Sequence, residues 1–338
     1  MLKKKYDVIT IGGATRDFIF YTDQGVIVPD TAHKNGSKLV GFKYASKIYI
    51  KEKEAYLALG GGGCNTAITF SKLGLKVATL VRVGNDKDGQ AIIEKLKKEK
   101  VGVKFTQFDR KVRTAFSILI MSGGEYVAFC YRGANNELRI TNYELGKMNT
   151  KWFYISSLSG ENWESILERI KRASQKNKIK LAWNPGSRQL RGGRRQMSKF
   201  LSNTEVLILN KDEARILVLS DKKYSKEKVR LNDVRFLLKV LKGWGPNIIV
   251  ITQGSKGASI YEGRKFYHLP AFKVKMLNAT GAGDAFGASF IAGLILYNYD
   301  IEKSLKLAIV NSAYVTTKVG AQNGLLTRKE AEKKMGCK

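Results

Sequence analysis

The sequence predicts an α/β fold: a mostly parallel central sheet with helices on both faces, plus a small antiparallel β lid. Three observations predict it. Continuous apolar runs at Tyr6–Ile11 and Ile248–Thr252 suit strands buried on both faces of a parallel sheet. From Trp152 onward such runs alternate with helix-like stretches, the order of βαβ units. Between Phe18 and Leu59, and again between Thr106 and Tyr131, strand-like stretches alternate with polar turns, which marks the lid.

In chain order, Tyr6–Ile11 ends in Gly12-Gly13, a strand feeding a turn. Lys47-Ile48-Tyr49-Ile50-Lys51 alternates as a half-exposed strand does. Gly60–Gly63 leads into a helix from Cys64 to Leu73, with Gly74 as its left-handed stop. Lys76–Val83 is the next strand, and Gln90–Lys100 a charged amphipathic helix. Thr114–Met121 and Glu125–Tyr131 flank Ser122-Gly123-Gly124, a hairpin signal. Strands at Trp152–Ser156, Ile179–Trp183, Val206–Leu209 and Ile248–Thr252 then alternate with helices at Ser165–Ser174, Gly193–Leu201, Asp212–Leu219 and Val229–Leu241. Ser259–Leu269 supplies edge strands. The apolar helix Ala285–Tyr297 and a final helix from Ile301 to about Val319 close the fold. No repeat or low-complexity linker divides the chain, so one domain is expected over 1–338, with lid segments at about 18–59 and 106–131.

The 338 residues, 43% of them apolar, suffice for a large core. The longest apolar run is too short for a membrane span and no secretory leader is visible, so a soluble cytoplasmic protein is expected. Cys64, Cys130 and Cys337 lie far apart in no metal-binding spacing, which excludes a disulfide framework or zinc site. His33 and His268 sit in no nucleophile motif. The net charge of +31 invites a nucleic-acid reading. The charge is dispersed, however, and Lys outnumbers Arg 43 to 17, so no specific nucleic-acid site is organised. A solvated Lys-rich surface is favoured, one that also attracts anionic ligands.

The most informative segment is Asn278-Ala-Thr-Gly-Ala-Gly-Asp284 at the start of the apolar helix. Glycine permits close backbone approach, and helix-start N–H groups with the helix dipole form an anion site. Asp284 stands within that site. Amides that hold a phosphate, beside a carboxylate that takes a proton, are what phosphoryl transfer to a hydroxyl requires. The same residues also suit an ordinary glycine turn with a first-turn acid. The segment lacks the third glycine of a dinucleotide fingerprint, and no GxxxxGK[ST] loop occurs.

Five motifs in order give the chain a resemblance to the ribokinase-like (PfkB) family of sugar and nucleoside kinases. They are Gly12–Asp17; Gly60–Asn65 with Leu73-Gly74; Asn210-Lys-Asp-Glu213; Ile248–Gly257; and Asn278–Asp284. The resemblance implies a ribokinase-like fold and ATP-dependent phosphorylation of a sugar hydroxyl. It implies Asp284 as general base and Gly281, Ala282 and Gly283 as the anion hole. Asp17, Gly61, Gly62 and Asn65 would hold the acceptor. Asn210, Glu213, Thr252, Gly254, Gly257 and Asn311 would serve ATP, with Glu213 reaching Mg2+ through water. Val319-Gly320-Ala321-Gln322 resembles the wall of the adenine pocket, and Arg132 lies in a segment near the acceptor side.

Two departures stand out. Gly62 replaces a lysine frequent in ribokinases, which argues against ribose. Asn278 replaces the usual Asp; family members that use a monovalent cation such as K+ place it near this segment. The Asn-Pro pattern of phosphofructokinase-type members is absent, so an unphosphorylated sugar is expected, with an adenosine-like nucleoside as the alternative. The family also includes homodimers joined through the lid. A sugar sensor that has lost catalysis and a nucleic-acid-binding protein are the readings of another class.

Overall fold

The computed structural model describes residues 5–30, 38–122, 125–224, 226–227 and 230–336. His33, Gly123, Gly124 and Cys337 lie outside the described residues. The first part of the chain forms β1 (Tyr6–Ile11), β2 (Thr15–Tyr21), β3 (Val26–Pro29), β4 (Lys38–Gly41), β5 (Ala55–Gly60), α1 (Gly62–Lys72), β6 (Val77–Leu80) and β7 (Arg82–Gly84). Next come α2 (Lys87–Lys98), β8 (Gln107–Asp109), β9 (Ala115–Ser122), β10 (Glu125–Tyr131) and α3 (Asn142–Gly146). The alternating part comprises β11 (Thr150–Ile155), α4 (Trp163–Asn177), β12 (Lys180–Trp183), α5 (Ser187–Leu201), β13 (Val206–Asn210), α6 (Lys211–Leu219), α7 (Val234–Lys242) and β14 (Ile248–Thr252). It closes with β15 (Ala258–Glu262), β16 (Lys265–Leu269), α8 (Ala282–Leu296), α9 (Ile301–Val315) and α10 (Arg328–Lys334).

The main sheet runs β16-β15-β14-β13-β12-β11-β1-β6. Strand β15 pairs antiparallel with both β14 and β16, the other pairings are parallel, and Ser259–Leu269 lies at the edge as expected. Adjacent residues of one strand serve opposite layers, because strand side chains alternate. Val8 and Tyr154 face a layer with α1, α2, α8 and α9; Ile9 and Phe153 face α4, α5, α6 and α7. Helix α8 is apolar on all sides and almost wholly buried, so it packs as core rather than as a surface helix. No described helix is long and apolar enough to cross a membrane.

The second sheet, β10-β9-β2-β5, lies where the lid was expected. Three differences stand out. Strand β2 pairs β9 in parallel, so the sheet is antiparallel only in its other two pairings. The residues Gln107–Asp109 pair with β7 outside this sheet. Lys47–Lys51 forms no strand, because alternation alone lacks the neighbouring ladder a strand needs for its backbone groups. The expected strand Lys76–Val83 divides into β6 and β7, and the last long helix stops at Val315, with α10 following after a loop. Helix α1 ends as predicted: Gly74 is left-handed, and Leu75 N–H reaches back to Phe70 C=O at 3.1 Å.

Candidate active site

The parallel strands point their carboxyl ends at one crevice. Strand order reverses between β1 and β11, the place where open α/β sheets bind ligands. Gly12 and Gly13 leave β1 there, Ser156 follows β11, Asn210 ends β13, and Thr252 ends β14. Helices α1 and α8 pack together with their first turns over the crevice.

Helix α8 begins at Gly281, whose φ of 80° favours glycine, and no side chain caps the helix start. Ala282 N–H donates to Ala279 C=O at 3.2 Å, while the first-turn N–H groups of Gly283 and Asp284 are left for a ligand. Gly283 is exposed, and a Cβ built on it would meet nothing within 4 Å, so its backbone is open to close approach. Asp284 stands one residue further and receives a hydrogen bond from Asn65 Nδ2 at 2.8 Å. Gly62 must lack a side chain: a Cβ there would lie 2.8 Å from Ser156 Cβ and 3.4 Å from Asp284 Oδ1. Burial raises the Asp284 pKa above the ordinary carboxylate value, and the Asn65 hydrogen bond opposes that rise.

Asp17 sits on β2, beside Ser117 of β9 in the parallel register. Its Oδ1 accepts from Ser117 Oγ at 2.5 Å. Its Oδ2 lies over Gly60, where any Cβ would overlap it. Burial, first of all, raises the Asp17 pKa to about 6; the Ser117 bond lowers it, the negative charge of Asp284 raises it, and Arg16 lowers it. Two carboxylates that feel each other across one crevice are thus brought together from opposite ends of the chain.

The residues expected to serve the nucleotide form a separate group at the ends of β13 and β14. Asn210 caps α6: its Oδ1 accepts Glu213 N–H at 2.8 Å, and Glu213 Oε2 accepts Asn210 N–H at 2.8 Å. Burial raises the Glu213 pKa, the Asn210 bond lowers it, and Asp212 raises it again. Among the described residues no hydrogen bond engages Glu213 Oε1, so a hydrated Mg2+ fits this carboxylate. Thr252 closes β14, and Gly254 and Gly257 are left-handed in the turn after it.

Asn311 differs from expectation. It is fully buried, its Nδ2 donates to Ser289 Oγ at 2.8 Å, and its Oδ1 accepts Leu326 N–H at 2.9 Å. With both ends of the amide committed, it supports the segment before α10 from behind instead of facing a nucleotide. Gln322 also departs from the adenine-wall expectation: its Nε2 donates to Asn65 Oδ1 at 2.9 Å. That bond orients the Asn65 amide so that its N–H side meets Asp284. Arg132 is exposed after β10. His268 pairs with Ser259 on the distant β15–β16 edge. Cys64, buried at the start of α1, has its thiol pushed up to about 12 by burial and by the charges of Asp17 and Asp284, so it is no nucleophile.

Sequence reasoning missed Ser117, Ser156 and the Gln322–Asn65 link. Only Ser117 had a signal, the assignment of its strand to the lid; Asp17 was expected just ahead of the first lid segment.

This constellation has known counterparts. Residues 34–328 match the model of the pfkB family carbohydrate kinases. The chain belongs to the pfkB family. Its members are phosphotransferases with an alcohol group as acceptor, and the family uses ATP. The chain is 26% identical over 328 residues to the ATP-dependent 6-phosphofructokinase of Thermoanaerobacterium thermosaccharolyticum, covering 94% of this chain and 90% of that one. It is 27% identical over 325 residues to the probable fructokinase-5 of Arabidopsis thaliana, covering 90% and 96%. A putative ribokinase II of E. coli, solved with ATP and Mg2+, superposes with a TM-score of 0.76 at 17% identity, covering 97% of this chain and 98% of that one. The shared fold is therefore ribokinase-like.

Burial raises the Asp17 pKa to about 6, so if this carboxylate serves acceptor binding, kcat/KM for the acceptor is expected to fall as pH drops below about 6. A pH–rate profile of the free enzyme checks this; a profile already flat well below that point would remove Asp17 from acceptor binding.

Proposed function

We propose that the protein phosphorylates a hydroxyl of an unphosphorylated sugar, with ATP as donor. The observation that carries this reading is that the two carboxylates flank one glycine run: Asp17 Oδ2 lies over Gly60, and Asp284, at the uncapped start of α8, has its Oδ1 beside Gly62. Asp17 Oδ2 accepts from acceptor hydroxyls and fixes the ring against Gly60 and Gly61. Asn65 holds the Asp284 carboxylate in place, and Asp284 accepts the proton of the attacking hydroxyl. The N–H groups of Gly281 and Gly283 stabilise charge on the transferred phosphoryl group, with Ala282 between them tied back to Ala279 C=O. Thr252, Gly254 and Gly257 line the nucleotide. Glu213, with Asn210 beside it, would hold a hydrated Mg2+ through water, and the ion would supply neutralisation of phosphate charge. The β10-β9-β2-β5 sheet, which carries Asp17, closes over the acceptor and excludes water.

The preference for an unphosphorylated acceptor rests on the sequence, which lacks the Asn-Pro pattern of phosphofructokinase-type members ahead of Asp17. The experiment is coupled ADP release across sugars, fructose 6-phosphate and nucleosides. Turnover of a free hexose or pentose is expected. Preference for fructose 6-phosphate or a nucleoside would replace the acceptor, and turnover of none would favour a ligand sensor.

A further inference from the structure

The seam behind the anion hole is held by Asn278. This side chain is buried, with Oδ1 accepting Thr280 N–H at 3.0 Å and Nδ2 donating to Lys318 C=O at 3.3 Å. The backbone N–H groups of Leu277 and Asn278 both bond Thr316 C=O, at 2.8 and 3.3 Å. Segment 277–280 is thereby laced to segment 316–318. The chain then carries Ala321 against Gly281, and Gln322 onto Asn65. The placement of the helix start and the orientation of Asn65 both depend on this seam.

A monovalent cation, which the family resemblance admits near here, does not fit these residues. Thr280 N–H is only a donor, so it fixes the amide oxygen of Asn278 on its own side and leaves the NH2 facing Lys318 C=O. A cation bridging side chain and carbonyl would meet N–H hydrogens, and the side chain brings no negative charge. We propose that the Asn278 amide replaces a carboxylate and its bound monovalent cation, so that this enzyme turns over independently of K+. The proposal rests on the reading of 278–284 as the phosphoryl-transfer site. Asn278→Asp would face one acceptor, the carboxylate, with another, the Lys318 carbonyl. That buried clash is relieved by a cation coordinated to both.

The test compares wild type, Asn278→Asp and Asn278→Ala in K+, Na+ and tetramethylammonium chlorides, with the best acceptor from the panel. Wild-type rates should agree to within about twofold at constant ionic strength. Asn278→Asp should be slower by about tenfold or more in tetramethylammonium and recover in K+, as expected for an unmade buried hydrogen bond that a cation repairs. Asn278→Ala should be slow in every salt. Strong K+ stimulation of wild type, or Asn278→Asp turnover that ignores the salt, overturns the proposal. Melting temperature in the same salts separates it from the kinase reading. Even without turnover, K+ should restore the melting temperature of Asn278→Asp and leave wild type unmoved; a K+-raised wild-type value overturns it.

Discussion

Asp284→Asn is expected to lower kcat by roughly 10²–10⁴-fold, the usual loss when a general base is removed. The exchange keeps shape and hydrogen bonding. Asn65 Nδ2, now 2.8 Å from a carboxylate oxygen, would meet an amide oxygen in the same place. The backbone N–H groups at the start of α8 are unchanged, so ATP affinity should change little. Coupled ADP release gives kcat, and nucleotide titration of the inactive variant gives affinity. A near-normal kcat would sink the assignment; lost ATP affinity would mean the carboxylate organises the helix start and takes no proton.

The same variant should be more stable than wild type above neutral pH. Asp284 and Asp17 both have folded pKa values above the unfolded one. For a raised group the stabilisation is fully present below the unfolded pKa, and is lost as pH rises through the folded pKa, about 6 for Asp17. Ionising either group therefore places charge in a buried site at a cost to stability. Removing the charge of Asp284 should raise Tm, the expected trade between a functional site and stability. Thermal melts of the two proteins at pH 5 and pH 8 check the sign: the gain should be larger at the higher pH.

Much of this site was legible because its residues sit at the ends of strands and starts of helices, where local pattern speaks. Gly60–Asn65 and Asn278–Asp284 each announce a close backbone approach followed by a helix, and α1 and α8 begin there. The Asn210–Glu213 motif was visible at a strand end, and the structure shows that the pair also caps α6. What stayed hidden depends on pairing between distant segments. Ser117 meets Asp17 because β2 and β9 run parallel in one register, and no local signal fixes that direction. Gln322 meets Asn65 through a loop between α9 and α10, which begins earlier than the expected helix end at about Val319. Asn311 carried a polar side chain at a position that resembled a pocket wall, but burial turned it into a core support. Lys47–Lys51 shows the converse: a good strand pattern with no strand beside it.

Replacing Asp17 by Ala should cut kcat/KM for the acceptor by roughly 10²-fold or more. Each hydrogen bond from a hydroxyl to a charged carboxylate contributes about 1.5–3 kcal/mol, and two are lost. The loss should appear mainly in KM for the acceptor, with KM for ATP nearly unchanged, since Thr252, Glu213 and the α8 start lie on other elements. Ser117→Ala separates the carboxylate's charge from its mere presence. The Ser117 hydroxyl donates to Asp17 Oδ1 and opposes the rise that burial causes. Without it, the acid limb of the pH profile should move to higher pH, while the rate at pH 8 stays near wild type because Asp17 is ionised there in both proteins. An Asp17→Ala variant with unchanged acceptor KM would place the acceptor elsewhere in the crevice. A Ser117→Ala profile that falls equally at every pH would mean that Ser117 holds the β2–β9 register and leaves the Asp17 charge alone.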